Sequence, residues 1–278
     1  MKIDAHQHFW VYSADEYGWI NEGMGILKKE YLPANLKPEI EKAGFDGTIA
    51  VQARQSLHET RWLLKLAGLN SFIKGVVGWV DLCSSDVRNQ LLEFILNPQF
   101  VGVRHVLQDE PDNDFILRKD FLNGIKALEE FGLVYDILIF PRHLKNAIRF
   151  ASLFPDQTFV LNHIAKPNIK EKNIASWKED IMQLARLQNV HCKISGMVTE
   201  ADWNCWQEKD FTDYLDVIFE SFGTRRLMIG SDWPVCKLAG GYPETINIVL
   251  NYILQFSEDE RMNVMGLNAL RTYKIKLL

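Results

Sequence analysis

Three histidines and one aspartate stand where short apolar runs of this sequence end. His6 and His8 close the run 2–8, His163 closes 158–163, and Asp232 follows 227–231. Residues two apart on a strand point to the same side, so the His6 and His8 imidazoles share a face. Two neutral imidazoles side by side can hold one divalent ion or donate to a substrate oxygen. A carboxylate next to them can take a proton from water and hand it to a leaving group. Taken singly, each signal has a plainer reading. His-x-His occurs by chance on surface strands, a lone strand-end histidine is usually structural, and an aspartate before Trp233-Pro234 suits a turn or a helix cap. The catalytic reading therefore depends on a fold that brings the four together.

Eight apolar or β-branched runs supply such a fold: 2–8, 48–53, 73–80, 100–106, 134–139, 158–163, 190–195 and 227–231. Between them lie amphipathic stretches with apolar residues three and four apart, such as 59–67 and 121–130. Alternating strand and helix signals predict parallel strands with helical crossovers. The 278 residues match the ~250 of one (β/α)₈ TIM barrel, and no GxGxxG follows the first strand to favour a dinucleotide fold. A single barrel domain over 1–278 is expected. Closure sets strand eight beside strand one, which places Asp232 next to His6 and His8, with His163 on the same rim.

Other strand ends offer polar side chains in phase with the interior: Gln52 and Arg54 on strand two, Arg104 with His105 on strand four, Asp136 on strand five, Lys193 and Ser195 on strand seven. A lysine inside a barrel needs a partner or a ligand, because an unpaired buried charge is too costly. For Lys193 both remain open, Asp136 being the partner and a substrate the ligand. Gln52, Arg104, His105 and Lys193 are taken as candidate substrate-binding donors, and Trp10 and Trp233 as flat apolar surfaces for a ring. The long connections after strands one and seven, 9–47 and 196–206, are rich in aromatics that either line a pocket or cap the barrel. His58, His143 and His191 fall on helices or at a strand start and are set aside.

Composition narrows the class. Hydrophobic residues at 47% and charged residues at 24% fit an ordered globular enzyme, and a net charge of -5 does not suggest the basic face that nucleic acid would require. No window is apolar for the roughly 18 residues a membrane span needs. The first residues show no apolar run with a cleavage pattern, and the four cysteines are widely spaced, so reduced thiols in the cytoplasm are expected. A homo-oligomer is compatible with all of this.

Several longer runs carry a family resemblance: Ile3-Asp4-Ala5-His6-Gln7-His8-Phe9-Trp10, Val77-Gly78-Trp79-Val80-Asp81-Leu82, Gly102-Val103-Arg104-His105-Val106-Leu107-Gln108-Asp109-Glu110-Pro111, Asn162-His163-Ile164-Ala165-Lys166-Pro167, Lys193-Ile194-Ser195-Gly196 and Gly230-Ser231-Asp232-Trp233-Pro234-Val235. Together they make the chain similar, over nearly its whole length, to the amidohydrolase superfamily, in the amidohydrolase-2 branch of sugar-lactone hydrolases that includes the L-fuconolactonases. The resemblance implies hydrolysis of a sugar-acid lactone, with the strand-one histidines, His163 and Asp232 at the family's active-site positions. Asp232 is the expected general base, and His6, His8 and His163, or one Zn²⁺ held by His6, His8 and Asp232, would polarise the carbonyl. Two-metal members of the superfamily place a bridging lysine on strand four and a histidine on strand five. Here those strands offer Arg104-His105 and Asp136, so at most one ion is expected, and an activated ester does not require even that. The competing readings are a metal-dependent decarboxylase or amide hydrolase of the same superfamily, and a barrel that binds sugar acids without catalysis.

Overall fold

A computed structural model describes residues 1–276. All eight expected strands form, each within two residues of its expected limits: β1 (Ile3–Gln7), β2 (Gly47–Val51), β3 (Ile73–Gly78), β4 (Phe100–His105), β5 (Val134–Ile137), β6 (Phe159–Leu161), β7 (Val190–Ile194) and β8 (Leu227–Ile229). A helix follows each in turn: α1 (Pro33–Lys42), α2 (Leu57–Leu69), α3 (Val87–Phe94), α4 (Lys119–Phe131), α5 (Leu144–Ser152), α6 (Ala175–Leu184), α7 (Thr212–Phe222) and α8 (Tyr242–Tyr252). The chain continues into α9 (Glu258–Met262) and α10 (Asn268–Thr272). Neighbouring strands pair in parallel in sequence order, as right-handed β-α-β units require. α4 shows why the connecting segments are helical. Phe121, Ile125 and Leu128 bury one stripe, and Gly132, at φ 66°, ends the helix in the left-handed conformation that a residue without Cβ adopts freely.

The two faces of the strands alternate as the pleat demands, with a register shift on β1 between Asp4 and Gln7 that lets Ile3 and His6 both face the interior. Val103, Tyr135, Ile137, Phe159, Leu161, Val190, Cys192 and Ile194 pack outward against the helices. Ile3, Ile49, Val77, Val101, Val134, Val160 and Met228 point inward, where Ala269, Leu270 and Tyr273 from the C-terminal segment join them and plug the amino-terminal end of the barrel.

The closing seam lies between β8 and β1. The Asp232 N–H donates to the His6 carbonyl at 2.8 Å, and the His8 N–H donates to the Trp233 carbonyl at 2.7 Å. Beneath them the fully buried Asp4 carboxylate accepts the Ser231 hydroxyl at 2.6 Å, the Ser231 N–H at 2.9 Å and the Tyr242 hydroxyl at 3.1 Å. Burial raises the Asp4 pKa to about 6, against these donors, which pull it down. The seam that closes the barrel thus fixes the distance between His6, His8 and Asp232. Among the described residues, no helix is long and apolar enough to cross a membrane.

Candidate active site

Each strand stops one or two residues before the expected limit, and after β1, β2, β4, β5, β6 and β8 the chain leaves the ladder to line a cavity of about 380 Å³. Asp232 stands at its centre. Asp232 Oδ1 lies 3.3 Å from His8 Nε2, 3.7 Å from His6 Nε2 and 3.8 Å from His163 Nε2, and it has no well-directed hydrogen bond. The two strand-one imidazoles meet Nε2 to Nε2 at 3.3 Å. His8 Nδ1–H donates to the Val51 carbonyl at 2.8 Å, which leaves its Nε2 lone pair facing Asp232. The four residues called from the sequence are therefore brought together.

Electrostatics set their protonation. Burial holds His6 well below the ordinary histidine value and lowers His8, while His163 is pushed down to about 3 by burial and by the Lys166 and Arg104 charges. Burial acts to raise Asp232 as well, but the facing His163 and His8 rings, with Lys166 behind them, outweigh it and hold the carboxyl below its usual range. At neutral pH the floor is thus one carboxylate ringed by three neutral imidazoles. Arg104 and Lys166 are among the nearby cations.

His163 reaches this position through unusual backbone. His163, Ile164, Ala165 and Lys166 all have positive φ, 53°, 49°, 61° and 49°, and Asp232 has φ 56°. For L-residues this conformation costs roughly 1–2 kcal/mol each, and a β-branched residue such as Ile164 adopts it least readily. The buried packing of Ile164 and Ala165 and the bond from Trp177 Nε1–H to the Ile164 carbonyl, 2.8 Å, hold the turn in place. His163 Nδ1 pairs with Ser195 Oγ at 2.9 Å, and the ring fits because position 196 is glycine: a Cβ there would sit 2.5 Å from His163 Nδ1. The same turn delivers Lys166 to the cavity wall, 3.9 Å from Glu200, whose carboxyl burial raises to about 7.

The expected substrate-binding residues divide. Arg104 lines the cavity, with Nη1 3.3 Å from His6 Nε2 and an Nε–H that has no partner. Gln52 lies behind Arg104 rather than in the wall: its carbonyl and Oε1 both accept from Arg104 Nη2, and its own Nε2 donates to the Arg104 carbonyl at 3.2 Å. His105 also stands back from the wall, stacked on Phe115, and bonds Glu110, a lining residue, at 2.7 Å. Lys193 is fully buried inside the barrel and donates to Asp136 at 2.6 Å, so of the two partners left open it takes the carboxylate. Trp10 and Trp233 are fully buried in an aromatic cap with Phe9, Tyr17 and Tyr31, and the Trp10 N–H is spent on the Leu27 and Lys29 carbonyls. In the long first connection it is Trp19 that reaches the cavity. Arg54, Gln108, Glu110 and Lys166 are among the residues of its polar wall, and Val106, Leu138 and Val235 among those of its apolar one.

The floor fits one divalent cation. Tetrahedral ligands at 2.0–2.1 Å from an ion are ~3.3–3.4 Å apart, and the separations among His6, His8 and Asp232 are 3.3, 3.3 and 3.7 Å. An unpartnered carboxylate oxygen faces imidazole lone pairs, the donor set such an ion uses.

The amidohydrolase family model matches residues 3–275. The chain belongs to the amidohydrolase family. Among its relatives, an L-fucono-1,5-lactonase of Burkholderia multivorans is 38% identical, the match covering 99% of this chain and 96% of the relative. An L-fucono-1,5-lactonase of Burkholderia ambifaria is 35% identical over 99% and 96%. The crystal structure of a Burkholderia multivorans amidohydrolase with bound zinc superposes with a TM-score of 0.96 at 39% identity, covering 99% of this chain and all of that one. The amidohydrolase barrel read from the sequence is the fold observed.

Proposed function

We propose that the protein hydrolyses the lactone of a six-carbon sugar acid, L-fucono-1,5-lactone or a close stereochemical relative, to the aldonate. The observation that carries this reading is the ionised, unpartnered Asp232 oxygen facing three neutral imidazoles at the floor of a polar cavity. The lactonase relatives, similar over their whole length, supply the choice of substrate.

Lactone hydrolysis needs a base for water, donors for the carbonyl oxygen and a proton for the ring oxygen. Asp232 Oδ1 removes a proton as the water oxygen bonds to the carbonyl carbon. With Ser195 donating to its Nδ1, His163 presents Nε2–H to the oxyanion, and Arg104 supplies a second, cationic donor. When the tetrahedral carbon collapses, the bond to the ring oxygen breaks and Asp232 returns its proton there. The product acid then ionises and releases one proton to solution. His6, His8 and Asp232 would hold one divalent ion, zinc by analogy with the relative, which supplies Lewis acidity toward the carbonyl oxygen. Arg54, Gln108, Glu110 and Lys166 offer donors and acceptors for hydroxyls, and Trp19 an apolar face for the ring. His105 serves by aiming Glu110, while Gln52 holds Arg104. Two of the four free cysteines, Cys192 and Cys236, are buried, which suits a reducing cytoplasm.

A panel of aldonolactones, simple aliphatic lactones and hydroxylated aromatic acids tests the proposal. Acid release from deoxyhexonolactones, much faster than from aliphatic lactones, is expected. Carbon dioxide from an aromatic acid, with no lactone hydrolysed, would replace the lactonase reading with a decarboxylase.

A further inference from the structure

A chain of buried hydrogen bonds runs from the C-terminal plug to the cavity floor. The Tyr273 hydroxyl, at the amino-terminal end of the barrel, donates to Asp136 Oδ1 at 2.6 Å. Asp136 Oδ2 accepts from Lys193 at 2.6 Å and from Asn162 Nδ2 at 2.9 Å. Asn162 Oδ1 then accepts from Arg104 Nη1 at 3.2 Å, and the same nitrogen lies 3.3 Å from His6 Nε2. None of these six residues is more than 3% exposed.

We propose that Asn162, held in one orientation by the Asp136 carboxylate that Lys193 and Tyr273 lock, is a positioning residue that orients Arg104 through its side-chain amide. A carboxylate only accepts, so the amide must turn its NH₂ toward Asp136 and its oxygen toward Arg104. That oxygen and the Gln52 carbonyl hold the two terminal nitrogens of the guanidinium, which fixes its plane at the cavity wall. A buried ion pair is poor value as a stabiliser, since well-packed apolar residues of the same volume often do as well. Its use here is directional. The pair gives Asn162 one orientation, and Arg104 keeps its place without a ligand. The inference rests on Arg104 being a donor in lactone hydrolysis.

A double-mutant cycle on that activity tests it, using Arg104→Met, Asn162→Leu and the double variant, with kcat and KM measured separately. The expected result is a kcat fall of about a hundredfold or more for Arg104→Met, about tenfold for Asn162→Leu, and a double variant no worse than Arg104→Met alone. Losses that multiply would overturn the proposal, because a general disturbance of β6 acts whether or not Arg104 is present. So would an Asn162→Leu enzyme with unchanged kcat. If Asn162→Leu does not fold, Tyr273→Phe takes its place in the cycle, with an expected two- to fivefold loss and the same two readings. A wild-type enzyme inactive on every lactone refutes the functional proposal instead, so the two failures are separable.

Discussion

A single carboxylate oxygen with no well-directed bond, Asp232 Oδ1, is the centre around which the other side chains make sense. Its neighbours were legible from strand-end position and two-residue spacing, because the pleat dictates which side a residue faces. Depth along the barrel was not legible. Lys193 faces inward as expected, but it lies toward the Tyr273 plug instead of the cavity, and alternation carries no information on that coordinate. Trp10 and Trp233 were misplaced for a related reason: an aromatic beside a strand-end His or Asp can face the cavity or the cap, and both are apolar. His6, His8 and Asp232 form the only cluster of three or more metal-type ligands among the described residues. Purified protein should therefore bind at most one equivalent of Zn²⁺, and His8→Ala should lose it. Two equivalents, both needed for activity, would contradict the site as drawn.

At the scale of elements, the eight strands were readable but the turn after β6 was not. Four consecutive non-glycine residues with positive φ have no sequence signature, since Ile164 and Ala165 read locally as a continued strand or helix. Tertiary packing imposes the turn, and with it Lys166 enters the site unannounced. Gly196 is the other half of this device. Gly196→Ala places a methyl 2.5 Å from His163 Nδ1 at a residue with φ 61°. We expect a stability loss of at least 1–2 kcal/mol from the backbone alone, together with a fall in kcat as His163 is pushed from Asp232. Denaturant unfolding and kinetics on the same preparation would show both. A variant that is destabilised but fully active would mean that His163 is not needed where it stands.

For the whole molecule, the count of β/α units and the closing seam followed from the sequence, because alternating parallel strands with helical crossovers leave few alternatives at this length. What global stability does with pH was hidden, since it depends on burial. Glu59, at the start of α2, accepts the Ala53 and Arg54 N–H groups, both at 3.0 Å, and burial raises its carboxyl from 4.5 to about 7. The folded protein thus keeps a proton that the unfolded chain has already lost, so this group's contribution to stability declines as pH rises from 4.5 through 7. At 1.36 kcal/mol per pKa unit, that decline is about 3 kcal/mol. Glu59→Gln has no such decline. Its stability relative to wild type should therefore improve by about that amount between pH 4.5 and 8, as read by urea unfolding at several pH values. An unchanged difference across the range would mean that Glu59 ionises as it does in water.

The most direct test is proton release from L-fucono-1,5-lactone, followed with a pH indicator in weak buffer, for wild type beside Asp232→Asn. Wild type should acidify the solution far above the spontaneous rate. The folded variant should be slower by ~10²–10⁴, the share that a general base contributes. An Asp232→Asn enzyme within about tenfold of wild type would contradict the role of Asp232, and a wild-type rate no higher than background would contradict lactone hydrolysis itself.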